Sequence, residues 1–472
     1  MSAAVEGSSA GSSESDARQF YSDPGAFFGE SHTATHSIAR DVLVELQAKG
    51  LKQRFTEQVE RIPMVAKLAV RQGIASVDEF DEIVPLLFEH TMYKSYPLAL
   101  LERRQFGRLS TWLDKLTSVD VAAVDTSRCD SIQSWVELLS EETDLDMLYS
   151  SGTSGTMSFF PWTSQEIAKR ARLQRICELQ PFGTEPSELS LRMPIHRIGS
   201  PSRTRRDYEG EALTFGDPSL LHIRASRRSD ADLLWLAARM RNAAARGDAS
   251  RIDVPESLLA RRSELEEAHV DSAASDEAWL AEIEKLQGEH IIWNSFPADM
   301  LGFAQPRVEA GIRWSFAPGS VVKVIGGAKG QVLPPDWMDT IARFTDARIF
   351  QGYGMVEMSH LNLRCANDRY HLQPWIIPYV LDPETSHLLP RKGVQTGRFA
   401  FFDLMPFAHW GGLMTGDEVE IDFDEPCGCG QTTYHLSSKI ARLSEKRGGD
   451  DKISCAATPE AYAEAMQFLT GL

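Results

Sequence analysis

The chain has 472 residues, 67 acidic and 49 basic, with a formal net charge of −18, a field that repels polyanions and argues against a nucleic-acid partner. Hydrophobic residues make up 42% and charged residues 25%, the composition of an ordinary soluble protein. No window approaches the roughly 18 consecutive apolar residues that a membrane helix needs, so no membrane partner is expected.

Residues 1–20 are rich in Ser, Gly and Ala, with neither a basic n-region nor an apolar h-region. They read as a disordered tail without a secretory signal. The six cysteines (Cys129, Cys177, Cys365, Cys427, Cys429 and Cys455) are too sparse for a disulfide scaffold, and a cytoplasmic location is expected. Residues 21–145 read as mostly helical, since 59–70 and 98–116 carry apolar residues at three- and four-residue spacing. After Asp146 the texture changes to short apolar runs that end in glycine-rich turns. Residues 147–149 lead into SSGTSGTMS, 321–325 into GGAKG, and 348–350 into QGYGMVEM. That pattern predicts an α/β sheet with loops, and ligands, gathered at strand ends. Between 226 and 290, Leu233, Leu236, Met240, Leu258, Leu265, Leu280 and Ile283 punctuate a charged stretch that predicts helices with a solvated face. Residues 397–424 alternate apolar runs with turns and predict a small β unit, at about 395–440.

Three clusters can carry chemistry. From Ser150 to Gly155, four hydroxyls (Ser150, Ser151, Thr153, Ser154) and two glycines (Gly152, Gly155) follow an apolar run. Such a loop can cradle phosphate oxygens, or it is a plain surface loop; it is not a Walker A loop, because no Lys-Ser or Lys-Thr follows. Around Gly352-Tyr353-Gly354, the tyrosine offers a flat face for a base and Glu357 a carboxylate for magnesium. The other reading is a strand-end turn with a surface glutamate. In Thr415-Gly416-Asp417, the aspartate can accept two hydroxyl donors, as a ribose presents them, though a tripeptide alone says little. Separately, Cys427 and Cys429 form a CxC pair, and Cys365 with His371 a second pair. Four N/S ligands from two loops suit tetrahedral zinc; reduced buried thiols are the alternative. His196, His222 and His290 read as packing or surface residues, and no Gly-x-Ser-x-Gly elbow supports a serine hydrolase.

Taken in order, these clusters resemble the adenylate-forming superfamily of acyl-CoA synthetases: phosphate loop, GYGxxE, TGD, then a basic hinge. SSGTSGTMSFFPWT is similar to the SSGTTGxxxxxxxT loop of phenylacetate–CoA ligases and of the acyl-protein synthetases of bacterial luminescence. CGCGQTTYHLSSKIARLSEKRGGDD resembles their CxCG turn and arginine-bearing hinge. The resemblance implies an ATP-dependent ligase with an α/β fold: an adenylate-forming large domain over residues 21–445, of two sheet-and-helix subdomains plus the small β unit. It implies that Ser150 through Ser158, with Thr153 and Ser154 central and Thr156 included, hold the β- and γ-phosphates. Gly326, Gly327 and Ala328 would line the adenine and acyl pocket, with Gly352 and Gly354 flanking the nucleotide. Tyr353 would stack on adenine, Glu357 bind magnesium, and Asp417 and Arg442 hold the ribose hydroxyls. Parts of 293–303 and 326–332 would receive an apolar or aromatic acid. Some relatives also carry a structural zinc near the CxC turn.

The pattern departs in three places. Thr156 stands where many of these ligases have a lysine, which removes charge from the pyrophosphate side. Only 21 residues follow Asp451, so 446–472 read as a short tail in place of a lid domain on the order of a hundred residues. Gly449 occupies the position of the acyl-carrying cysteine in the luminescence enzymes; Cys455, six residues on, is either a substitute acceptor or incidental. The expected reaction is formation of an acyl-AMP followed by transfer to a protein thiol or an amine, with an acceptor protein or partner enzyme. The alternatives are an acyl-CoA ligase whose lid is supplied in trans and a non-catalytic nucleotide-binding scaffold.

Overall fold

The structure, a computed structural model, describes residues 13–150, 156–174, 176–177, 193–195, 221–223, 230–246, 252, 254–325, 333–443 and 459–471. Its first helix, Glu14–Ser22, begins with a capping box. The Ser13 hydroxyl accepts from the Asp16 N–H at 3.0 Å, and the Asp16 carboxylate accepts from the Ser13 N–H at 2.8 Å. Ala17, Phe20 and Tyr21 are buried on its inner face. The expectation of a disordered tail is therefore corrected for 14–20, because three buried apolar residues and a satisfied N-terminus hold the helix. Residues 1–12 lie outside the described residues.

The strands run in chain order as follows. Phe88–Glu89 is β1, and Leu145–Ser150 (β2) and Ser158–Thr163 (β3) form a two-stranded hairpin. Met193–Ile195 (β4), Leu221–Ile223 (β5), Ile292–Ser295 (β6), Val321–Ile325 (β7), Arg348–Tyr353 (β8) and Asn362–Leu363 (β9) build one sheet. Its order is β5-β4-β6-β7-β8-β9, parallel throughout except for the antiparallel edge pair β8–β9. The helices Pro297–Glu309 and Trp337–Thr345 cover one face, where Trp293, Val322 and Val324 pack with Trp314 and Phe344.

The remaining strands are Arg369–His371 (β10), Ile376–Leu381 (β11), Val394–Asp403 (β12), Gly412–Asp422 (β13), His435–Ser437 (β14) and Ala441–Arg442 (β15). With β1 they form a seven-stranded sheet around the path β10-β14-β13-β12-β11, in which β1 and β15 both pair with β13. The alternation read at 397–424 is thus the centre of a larger antiparallel sheet, which recruits one strand from the N-terminal region. The long helix Arg40–Val59 lies across it, and Phe55, Trp375, Phe399, Phe401 and Phe402 share the core between them. Polar side chains of that helix also reach into the connection after β12. Arg54 donates to the Leu404 and Met405 carbonyls, and Gln58 to those of Pro406 and His409. These carbonyls lie off the ladder and would otherwise be buried without partners.

Residues 231–284 are helical where charge patterning predicts helices, in Ala231–Arg246, Glu256–Ala260 and Arg262–Glu284. The last helix, Pro459–Thr470, is docked rather than free: Ala465, Met466 and Leu469 pack with Leu233 and Leu236.

Gln58→Ala should lower the unfolding free energy by about 1–3 kcal/mol in urea denaturation, since both carbonyls lose a buried donor. An unchanged midpoint would mean that the helix is held by apolar packing alone.

Candidate functional site

The site forms where β8 of the parallel sheet meets β13 of the antiparallel one. Asp417 is 4% exposed on β13 and accepts from two elements distant in sequence. The Tyr353 hydroxyl donates to its Oδ2 at 2.8 Å, and the Arg442 Nε lies 3.1 Å from its Oδ1. The β13–β15 pairing puts Arg442 directly opposite Asp417. Behind it, the Asp417 N–H donates to the Thr415 hydroxyl at 3.1 Å, and that hydroxyl donates to the Phe399 carbonyl at 2.8 Å. Burial, then the Asp417 charge, holds the Tyr353 phenol well above its ordinary range, so it is a permanent donor.

Past Tyr353 the chain turns tightly. A Cβ on Gly354 would meet Leu361 Cδ2 at 2.8 Å, so a larger residue there would have to displace that side chain. Two contacts then fix the turn on either side of Glu357. Trp162 Nε1 donates to the Val356 carbonyl at 3.3 Å, and the Ser359 N–H donates to Asp403 Oδ2 at 2.8 Å. Glu357 itself is half-buried. Burial raises its carboxyl to about 7, Asp417 adds to the rise, and Arg442 and Lys94 draw it back.

The hydroxyl-rich loop is carried between β2 and β3, whose last paired residues are Ser150 and Ser158. Thr156 is half-buried, and Tyr96 donates to the Met157 carbonyl at 2.9 Å to anchor the end of the loop. Ser151, Gly152, Thr153, Ser154 and Gly155 lie outside the described residues, as do Gly326, Gly327, Ala328, His196 and Cys455. Ile325, which precedes Gly326, pairs with Gly352. His290 bonds the Pro318 carbonyl at 2.7 Å, and the His222 carbonyl accepts from Trp279, both packing contacts.

One segment beside these residues has no signature in the sequence. Strand β1 runs parallel beside β13 with Glu89 opposite Met414, and the His90 N–H donates to the Met414 carbonyl at 3.0 Å. This seats His90 Nε2 4.0 Å from where a Gly416 Cβ would lie. The chain then turns through Met92–Lys94. Tyr93 is buried there, its ring 4.0 Å from Phe160 of β3 and its hydroxyl accepting from the Trp410 N–H at 3.2 Å. Lys94 follows it, and its charge acts on both His90 and Glu357.

On the far side of β10, four soft donors converge. One ligand atom from each of Cys365, His371, Cys427 and Cys429 lies within 4.8 Å of every other. The Cys365 and Cys427 sulfurs are 3.5 Å apart, and Cys429 Sγ is 3.2 Å from His371 Nε2. Gly428 and Gly430 adopt positive φ (75° and 95°), which lets the CxC turn curl back on itself. Burial lowers His371 to about 3, keeping the ring neutral, while its Nδ1 faces the Thr433 hydroxyl at 3.4 Å. A neutral imidazole, oriented from behind and joined by three thiols, is a donor set that fits tetrahedral zinc.

No protein-family model matches the chain, and no curated protein matches it by sequence. Solved structures of 2-hydroxyisobutyryl-CoA ligase are similar in fold. An open conformation of that enzyme in complex with 2-HIB-AMP and CoA aligns at TM-score 0.52 and 14% identity, over 87% of this chain and 71% of that one. Its postadenylation state with R3-HIB-AMP aligns at 0.51 and 13%, over 87% and 70%. The likeness shows the fold alone, a mixed α/β architecture like that of these ligases.

Asp403, which holds Ser359, is buried and raised from 3.8 to about 6. The folded state therefore binds this proton more tightly than the unfolded chain. The resulting stabilisation is complete below pH ~4 and lost as pH rises to about 6. Unfolding free energies of wild type and Asp403→Asn, compared across that window, should differ by a term that falls by up to about 3 kcal/mol. A pH-independent difference would show that Asp403 is ionised throughout.

Proposed function

We propose that the chain is an ATP-dependent ligase that activates a carboxylic acid as its acyl-adenylate. The observation that carries this reading is the Tyr353–Asp417–Arg442 contact beside Glu357, at the strand ends of an adenylate-forming fold. Four lone-pair sites on the Asp417 carboxylate leave room for ribose hydroxyls beside Tyr353 and Arg442. Tyr353, its hydroxyl tied down, presents a fixed ring to adenine. An oxygen of the substrate carboxylate attacks the α-phosphorus, the bond to the bridging oxygen breaks, and pyrophosphate leaves with the electron pair. The hydroxyls and amides of Ser150 to Thr156 donate to the β- and γ-phosphates. Glu357 would hold magnesium, which would supply neutralising charge to the phosphates.

The acyl group then passes to a protein thiol or an amine, a reading supported by the resemblance of the 427–451 segment to acyl-protein synthetases. We place zinc on Cys365, His371, Cys427 and Cys429, where it would pin the turn after β13 to the one after β9. No disulfide joins the described cysteines, in keeping with the cytoplasmic location we propose.

Pyrophosphate release with magnesium–ATP should occur with one class among aliphatic, aromatic and amino acids. The rate should rise with pH through about 7 as Glu357 ionises, and Glu357→Ala should cost about 100-fold or more. No release with any acid, despite ATP binding, would overturn the ligase reading in favour of a scaffold. Metal analysis of the purified protein should find one zinc per chain, and Cys427→Ser should lose it and melt several degrees lower. Metal-free protein with unchanged melting would sink the zinc assignment.

A further inference from the structure

The hydroxyl-rich loop carries Thr156 where a lysine would add positive charge, and Arg442 is engaged with Asp417. Another cation whose charge reaches Glu357 comes from a part of the chain that no motif marks. The segment 88–94 is fixed at both ends of its turn. On one side its backbone pairs with Leu413 and Met414, immediately before Thr415-Gly416-Asp417. On the other, Tyr93 is wedged against Phe160 of the hairpin that carries the hydroxyl-rich loop, and is bonded to the Trp410 amide. The turn that bears Lys94 therefore lies between β13, which carries Asp417, and the hairpin that carries the hydroxyl-rich loop. Its charge reaches His90, next to Gly416, and also Glu357.

A nucleotide bound with its ribose on Asp417 and its metal on Glu357 has its α-phosphate between those points. We propose that Lys94 is a catalytic residue that binds the non-bridging oxygens of the nucleotide α-phosphate, the group under attack during adenylation. The inference rests on the ligase reading. Negative charge builds on these oxygens as the carboxylate adds, and a lysine on a packed turn stabilises it without reorganisation. The short 3₁₀ turn and the buried Tyr93 supply the rigidity that a loop lysine would lack.

AMP and adenosine differ by that phosphate, so their affinities, measured by calorimetry, isolate the contact without knowledge of the acid. Wild type should bind AMP at least about tenfold tighter than adenosine, the effect of one charge-assisted bond. Lys94→Met should abolish this preference with adenosine affinity unchanged, and Lys94→Arg should keep part of it. Lys94→Met that retains the preference would overturn the proposal and leave the ligase reading standing. Wild type that binds neither ATP nor adenosine would sink the ligase reading, and Lys94 with it. A second measurement needs no variant: AMP, but not adenosine, should protect Lys94 of wild type from acetic anhydride, read by peptide mass spectrometry. Equal acetylation with both ligands would contradict the assignment even if Lys94→Met fails to fold.

Discussion

A single carboxylate, Asp417, sets the geometry on which the site depends. An aspartate 4% exposed is costly to bury unless charged or polar donors surround it. Here the partners come from the end of a parallel strand, Tyr353 on β8, and from β15 at the antiparallel sheet, Arg442. Satisfying that carboxylate brings β8 and β13 together at their functional ends. Past Tyr353, which is tied to it, the chain turns at Met355–Met358 and leaves Glu357 half-buried, where the charges of Arg442 and Lys94 act on it.

Two kinds of packing share the work around this point. Apolar cores hold each sheet to its helices, while the irregular stretches between strands are held by buried polar side chains. Arg54 and Gln58 satisfy the carbonyls of 404–409, and Asp403 accepts from the amides of Ser359 and Met405. The same segment presents the Trp410 amide to Tyr93. The connection between β12 and β13 thus supports two sides of the site, the Glu357 turn and the Lys94 turn. Between these supports the Glu357 carboxyl is raised to about 7, chiefly by burial.

Much of this was legible in the residues. Short apolar runs ending in glycine turns marked β2, β7 and β8, since a strand feeding a ligand loop needs both features. The CxC pair and the Cys365/His371 pair, 62 positions apart at Cys365 and Cys427, could be joined on donor chemistry alone. The convergence of Tyr353 with Asp417 was expected only through family resemblance, because nothing local records a contact spanning 64 positions. Lys94 and His90 escaped entirely. Strand β1 is two residues long, too short for a period, and its partner lies more than 300 positions away. The helix Glu14–Ser22 was missed for another reason: the Ser- and Gly-rich composition ahead of it masked a capping serine and three core residues.

The central claim is that the carboxylate attacks the α-phosphorus. Acids of each class carrying ¹⁸O in both carboxyl oxygens, incubated with magnesium–ATP and a thiol or amine acceptor, test it directly by mass spectrometry of the products. The account predicts one labelled oxygen in AMP and none in pyrophosphate or inorganic phosphate. Label in inorganic phosphate would mean attack at the γ-phosphorus through an acyl phosphate, and would contradict the reading of the site.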